Sequence, residues 1–62
     1  MSEIEFLTLN EVAEKLKISL RTVQRFVQSG EIKAYKFGSQ WRVEVDDFIE
    51  FLNKNYVNKE EK

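Results

Sequence analysis

Two helix-start signals stand so close together that the chain between them has almost no freedom. Thr8-Leu9-Asn10-Glu11 has the capping-box spacing, in which the threonine side chain takes a backbone N–H and the glutamate reaches back to the cap. Leu9, Val12, Ala13 and Leu16 follow at helical spacing within an arc of about 100°, while Glu11, Glu14 and Lys15 lie elsewhere. The spacing predicts a helix over residues 9–16. Ser19 is a good N-cap for a second helix over residues 20–28, which stops at Ser29-Gly30, where glycine suits a left-handed terminus. Only Lys17 and Ile18 separate the first helix from that cap.

The second helix divides cleanly on its wheel. Leu20, Val23, Phe26 and Val27 span about 120°, and Arg21, Thr22, Gln24, Arg25 and Gln28 take the other side. Two short amphipathic helices joined by so tight a turn pack at a steep angle, as in a helix-turn-helix unit. Residues 32–45 then change period. Valine, isoleucine and aromatic residues dominate, and Gly38-Ser39-Gln40 interrupts them, which predicts a β-hairpin. With a three-residue loop at 38–40, Phe37 faces Trp41, Lys36 faces Arg42 and Tyr35 faces Val43. Tyr35, Phe37, Trp41 and Val43 then share one face and are expected in the core with Phe6, Phe26, Phe48 and Phe51. That register sets Lys36 and Arg42 side by side, a like-charge pair that an anion would relieve or that splays into water.

A last helix is expected to start near Asp46-Asp47, because Asp47-Phe48-Ile49-Glu50 again has capping-box spacing. A short strand at residues 5–7 completes the reading, and residues 1–5 and 57–62 are expected to fray. The fold class is α+β, in the order helix, helix, β-hairpin, helix, within a single domain.

Composition narrows the function. A chain of 62 residues without cysteine or histidine lacks thiolate and imidazole metal sites and the Ser-His and Cys-His pairs. Two glycines cannot make a phosphate-cradling loop, and no cofactor is expected. Aspartates, glutamates and serines form no base–nucleophile constellation, so no enzyme is expected. No apolar run has the length of a membrane span and no secretion signal is evident, so a cytoplasmic, nucleoid-associated binding module is expected.

The net charge of −1 conceals a strong internal division. Residues 1–14 carry −4, residues 15–42 carry +6 with all three arginines, and residues 43–62 carry −3. A basic field inside a neutral total suits a small reader of DNA, although chance alone can also produce it.

Taken together, Leu7-Thr8-Leu9-x-Glu11-Val12-Ala13, Ser19-x-Arg21-Thr22-Val23-x-Arg25-Phe26, Gly30-Glu31-Ile32, Ala34-Tyr35-Lys36-Phe37-Gly38, Trp41-Arg42-Val43 and Asp47-Phe48 resemble the excisionase-type DNA-binding domain, a compact relative of the MerR-type winged helix-turn-helix. The likeness covers residues 6–55. Leu20 stands where that family often has a polar or basic residue, Phe26 replaces a common tryptophan, and Lys17 occupies a turn position where glycine is usual. The dimerisation helix and effector domain of full MerR-type regulators are not seen, which speaks against a ligand-sensing regulator.

The resemblance implies double-stranded DNA as partner. A recombinase or integrase, or further copies of the chain on repeated sites, would join it there. In such a fold the second helix enters the major groove. Arg21 and Gln24 are candidates for base edges, with Arg25 on a base or, as the family suggests, on phosphate, and Gln28 beside them. Ser19 and Thr22 are candidates for phosphate, though capping alone accounts for Ser19. Lys36, Ser39, Gln40 and Arg42 would carry the hairpin, the wing, to the backbone. The competing reading is a protein–protein adaptor without nucleic-acid contact, suggested by the acidic ends and by an apolar last helix that could expose Phe51 or Tyr56.

Overall fold

A computed structural model describes residues 3–57. Its elements are β1 (Phe6–Thr8), α1 (Leu9–Leu16), α2 (Leu20–Ser29), β2 (Tyr35–Phe37), β3 (Gln40–Glu44) and α3 (Val45–Lys54). The strands form an antiparallel sheet in the order β1-β3-β2. The fraying expected for the ends falls, at residues 1–2 and 58–62, outside the described residues.

Both helix starts are built as the cap residues dictate. The Thr8 hydroxyl accepts from Glu11 N at 3.0 Å, and Glu11 Oε1 accepts from Thr8 N at 2.9 Å. Helix α1 then ends in a left-handed residue, Lys17, at φ 59°. Ile18 N donates to Ala13 O and Lys17 N to Glu14 O, which is the Schellman arrangement. Helix α2 repeats it at Gly30, with Glu31 N on Phe26 O and Gly30 N on Val27 O. The turn thus forms without the glycine that its backbone favours.

The core gathers residues from the three helices, β3 and the connection after α2: Val12 and Ala13 of α1, Val23 of α2, Ile32, Val43 of β3, and Phe48 and Phe51 of α3. Leu7, Leu9, Leu16, Ile18, Phe26, Val27 and Ala34 pack around them. Phe26 and Phe51 meet at 5.2 Å between ring centres and join α2 to α3.

The hairpin departs from the expected register. Its loop has two residues, Gly38 and Ser39, so that Tyr35 pairs with Arg42, Lys36 with Trp41 and Phe37 with Gln40. Gly38 has φ 65° and Ser39 no positive φ, as in a type II′ turn, whose twist matches that of the flanking strands. Because side chains alternate along a strand, the shift moves Tyr35 and Phe37 to the other face and leaves Trp41. Trp41 stays on the face of buried Val43, together with Leu7 and Lys36. Tyr35 and Phe37 turn outward and join Phe6.

Phe6, Tyr35 and Phe37 are therefore exposed, Trp41 is exposed although it keeps the inner face, and the expectation that these four fill the core is corrected. Mutual contact offsets part of that exposure: the Phe6 ring meets Tyr35 at 5.7 Å and Phe37 at 5.9 Å, edge-on to each. The like-charge pair does not form either, since Lys36 and Arg42 lie on opposite faces. Phe48 and Phe51 are buried and Phe26 is half-buried, as expected.

Helix α3 also begins earlier than the Asp47–Glu50 spacing suggests. Strand β3 runs directly into it, Glu44 stands at the cap without a side-chain hydrogen bond, and Val45 N donates to Glu5 O at 2.9 Å. A carbonyl from the first strand's approach thereby takes an N–H of the new helix. Asp46 and Asp47 sit in the first turn, where carboxylates favour the helix dipole.

A lysine in the left-handed region is strained by about 1 kcal/mol relative to glycine. Lys17→Gly is expected to stabilise the fold by at most about 0.5 kcal/mol, because the added freedom of the unfolded chain, about 0.4–1 kcal/mol, offsets most of the relieved strain. Thermal unfolding should show a midpoint raised by no more than a few degrees.

Candidate nucleic-acid interface

Helix α2 owes its orientation to the turn before it. The Schellman turn at Lys17 delivers Ser19 in extended conformation, and the Ser19 hydroxyl accepts from Thr22 N at 3.1 Å. Ser19 Oγ and Thr22 Oγ1 lie 2.9 Å apart in a hydrogen bond. Ser19 and Thr22 are thus committed to the helix start, Thr22 being half-buried. Val23 at the other side of the wheel is fully buried and anchors the helix.

With Val23 inward, Arg21, Gln24, Arg25 and Gln28 are all exposed. They are not equivalent. Gln24 and Gln28 line one hollow with Leu9, Val27 and Trp41, and Gln24 lines a second with Leu20, Gln40, Trp41 and Arg42. The carboxamide edge of α2 therefore faces the hairpin across an open groove. Arg21 lines neither hollow, and Arg25 lines a separate one with Thr22, Phe26, Ser29 and Glu31.

On the hairpin, Ser39 occupies the exposed tip and Gln40 and Arg42 follow on one face of β3. Arg42 is held: Nη2 donates to Gln40 Oε1 at 2.7 Å and Nη1 to the Trp41 carbonyl at 2.9 Å. Lys36 is on the other face, its Nζ 5.5 Å from the centre of the Trp41 ring. Arg42 is thereby fixed along its strand, and Lys36 is drawn toward the side of the sheet that adjoins α2.

All ten residues singled out in the sequence lie on α2 and its cap or on the hairpin. The structure brings Gln24 and Gln28 to one hollow and Gln24, Gln40 and Arg42 to an adjoining one, and leaves Arg25 in neither. Trp41 shares the face of Val43 with either loop length; it was missed as a groove residue because its end of β3 overhangs the hollows beside α2 instead of the closed core, which depends on how α2 packs against the sheet. Leu20, half open to solvent, adds an apolar spot at the groove's edge. No helix among the described residues is long and apolar enough to cross a membrane.

Comparison with known proteins agrees with this architecture. Residues 6–56 match the model of a helix-turn-helix domain family. In Bacillus subtilis (strain 168), the protein named "Uncharacterized protein YvgK" is 37% identical over 51 residues, 82% of this chain and 17% of that protein. In Mycobacterium tuberculosis (strain ATCC 25618 / H37Rv), "Putative DNA-binding protein Rv0500A" is 33% identical over 57 residues, 92% of this chain and 73% of that protein. A second strain, CDC 1551 / Oshkosh, carries a protein of the same name type, MT0521, with the same identity and coverage. The chain thus spans under a fifth of the Bacillus protein and about three quarters of the mycobacterial ones. No solved structure gives a significant match.

The capping role of Ser19 separates stability from recognition. Ser19→Ala is expected to lower stability by about 1 kcal/mol through loss of the cap, measured by urea unfolding.

Proposed function

Because the chain belongs to the helix-turn-helix domain family, matched over residues 6–56, we propose that it is a sequence-specific binder of double-stranded DNA rather than an enzyme. The observation that carries this is the pair of adjoining hollows between α2 and the hairpin: Gln24 lines both, with Gln28 and Trp41 in one and with Gln40, Trp41 and Arg42 in the other. A helix and a β-ribbon so placed match the major groove of a duplex and the backbone beside it. The name of the mycobacterial relatives points the same way.

In this reading α2 lies in the major groove. Arg21 and Gln24 contact base edges, guanine suiting the guanidinium and adenine the carboxamide. Gln28 extends the same line toward the hairpin. Arg25, which lines neither of these hollows, takes phosphate. Ser19 and Thr22 present the start of α2 to phosphate while keeping their capping bonds. Lys36, Ser39, Gln40 and Arg42 carry the wing along the backbone, where a narrow A–T-rich minor groove favours a basic tip.

The chain would act in the cytoplasm, as an excisionase-type factor that bends DNA for a recombinase or as a small transcription regulator. One module of this size covers on the order of 600–1,000 Å². Useful specificity then comes from further copies on repeated sites or from a partner protein bound alongside.

Four to six phosphate contacts correspond to a log–log salt slope of about −4 to −5. Arg21→Ala/Arg25→Ala is expected to weaken duplex binding by about 2–4 kcal/mol, roughly 30- to 900-fold, and to flatten that slope by about 1 to 2. Mobility shifts over a salt series check both. Equal binding by the double variant would remove α2 as the recognition element and leave the adaptor reading in its place.

A further inference from the structure

Helix α3 buries Phe48 and Phe51 and leaves a second apolar line uncovered. Val45, Ile49 and Leu52 follow one another at intervals of four and three residues, and Tyr56 comes four residues later, just past the helix. At about 100° per residue Val45, Ile49 and Leu52 fall within roughly 60° of one another. Ile49 is 47% exposed, Leu52 40% and Tyr56 73%. Phe51, the other candidate for exposure, is buried.

At its start the seam is acidic: Glu3, Glu5, Glu44 and Asp46 line one hollow with Val45. Lys54 lies away from the seam, in a hollow with Glu31, Lys33, Asp47 and Glu50. The seam is also on the far side from the proposed recognition face. Helix α2 meets α3 through Phe26, which on the α2 wheel points about 160° away from Gln28.

We propose that the outer face of α3 docks an amphipathic helix of a partner protein whose apolar anchors are flanked by lysines or arginines. The four–three spacing is that by which one helix packs its side chains against another. The acidic rim selects the charge of the occupant: a second copy would set two acidic rims against each other, whereas a basic helix is complementary. Helix α3 is about 15 Å long and offers three or four anchors, well under the roughly 800 Å² per partner of a stable complex. The contact is therefore a transient one, reinforced when both proteins occupy one DNA.

The test uses the full chain and a synthetic helix with leucines at the a and d positions and lysines elsewhere. A counterpart carries glutamates in place of the lysines. Amide shifts of the chain should move saturably over residues 45–56 with the lysine helix and stay unmoved with the glutamate helix. Ile49→Ser/Leu52→Ser, at exposed positions, should keep a native amide spectrum and unchanged affinity for a DNA duplex. It should bind the lysine helix at least about tenfold more weakly, as expected for losing two apolar anchors. Three results would overturn the proposal: shifts that avoid the seam, equal binding by the serine variant, or the same shifts appearing on concentrating the chain alone, which would make a second copy the occupant. Because the readout needs no DNA, failure here is distinct from failure of the DNA-binding reading.

Discussion

The left-handed backbone at Lys17 is the constraint on which the rest depends. It ends α1 after two turns and directs Ile18 back against the core. It also presents Ser19 as the cap of α2 in the very next residues. Any longer connection would let α2 rotate, and the separation of its two faces would lose its meaning. With the turn closed, burial of Val23 leaves only one side of α2 for Arg21, Gln24, Arg25 and Gln28. A single conformational feature thus converts a sequence pattern into a directed polar stripe. That the feature rests on lysine rather than glycine means the core contacts of Ala13, Ile18 and Val23 outweigh about 1 kcal/mol of local strain.

The sheet then fixes the wing against that stripe. Val43, fully buried, is paired with Leu7 and faces the helices. Trp41, two residues earlier on the same face, overhangs the groove beside Gln24 and Gln28. The outward Phe6, Tyr35 and Phe37 cluster on the other face stiffens the ribbon without contributing to the core. In a domain this small there is not enough interior for eight aromatic side chains, and edge-on contact between rings is the available compromise.

What was legible in the sequence follows the range of the interactions involved. The caps at Thr8 and Ser19, the stop at Gly30 and the two faces of α2 rest on contacts within four residues, and the structure has them where the residues place them. The hairpin rests on a choice between loop lengths that local pattern left open. Grouping the aromatics on one face favoured three residues, while the Gly38-Ser39 pair itself favoured two, and turn geometry prevailed. The start of α3 was hidden for a different reason. The N–H of Val45 is satisfied by Glu5, forty residues earlier in the chain, and no local signal carries that partnership. The ten candidate contact residues were placed on the right elements, but the separation of Arg25 from the groove, and the entry of Trp41 into it, needed the packing of α2 against the sheet.

The central claim is that α2 and the hairpin tip form one face for duplex DNA. Mapping amide shifts on adding a duplex recovered from a random pool tests it most directly. The account predicts that perturbations concentrate on residues 19–28 and 36–42 and spare the outer side of α3. Shifts centred on α3, or confined to one of the two elements while the other stays unmoved, would contradict it.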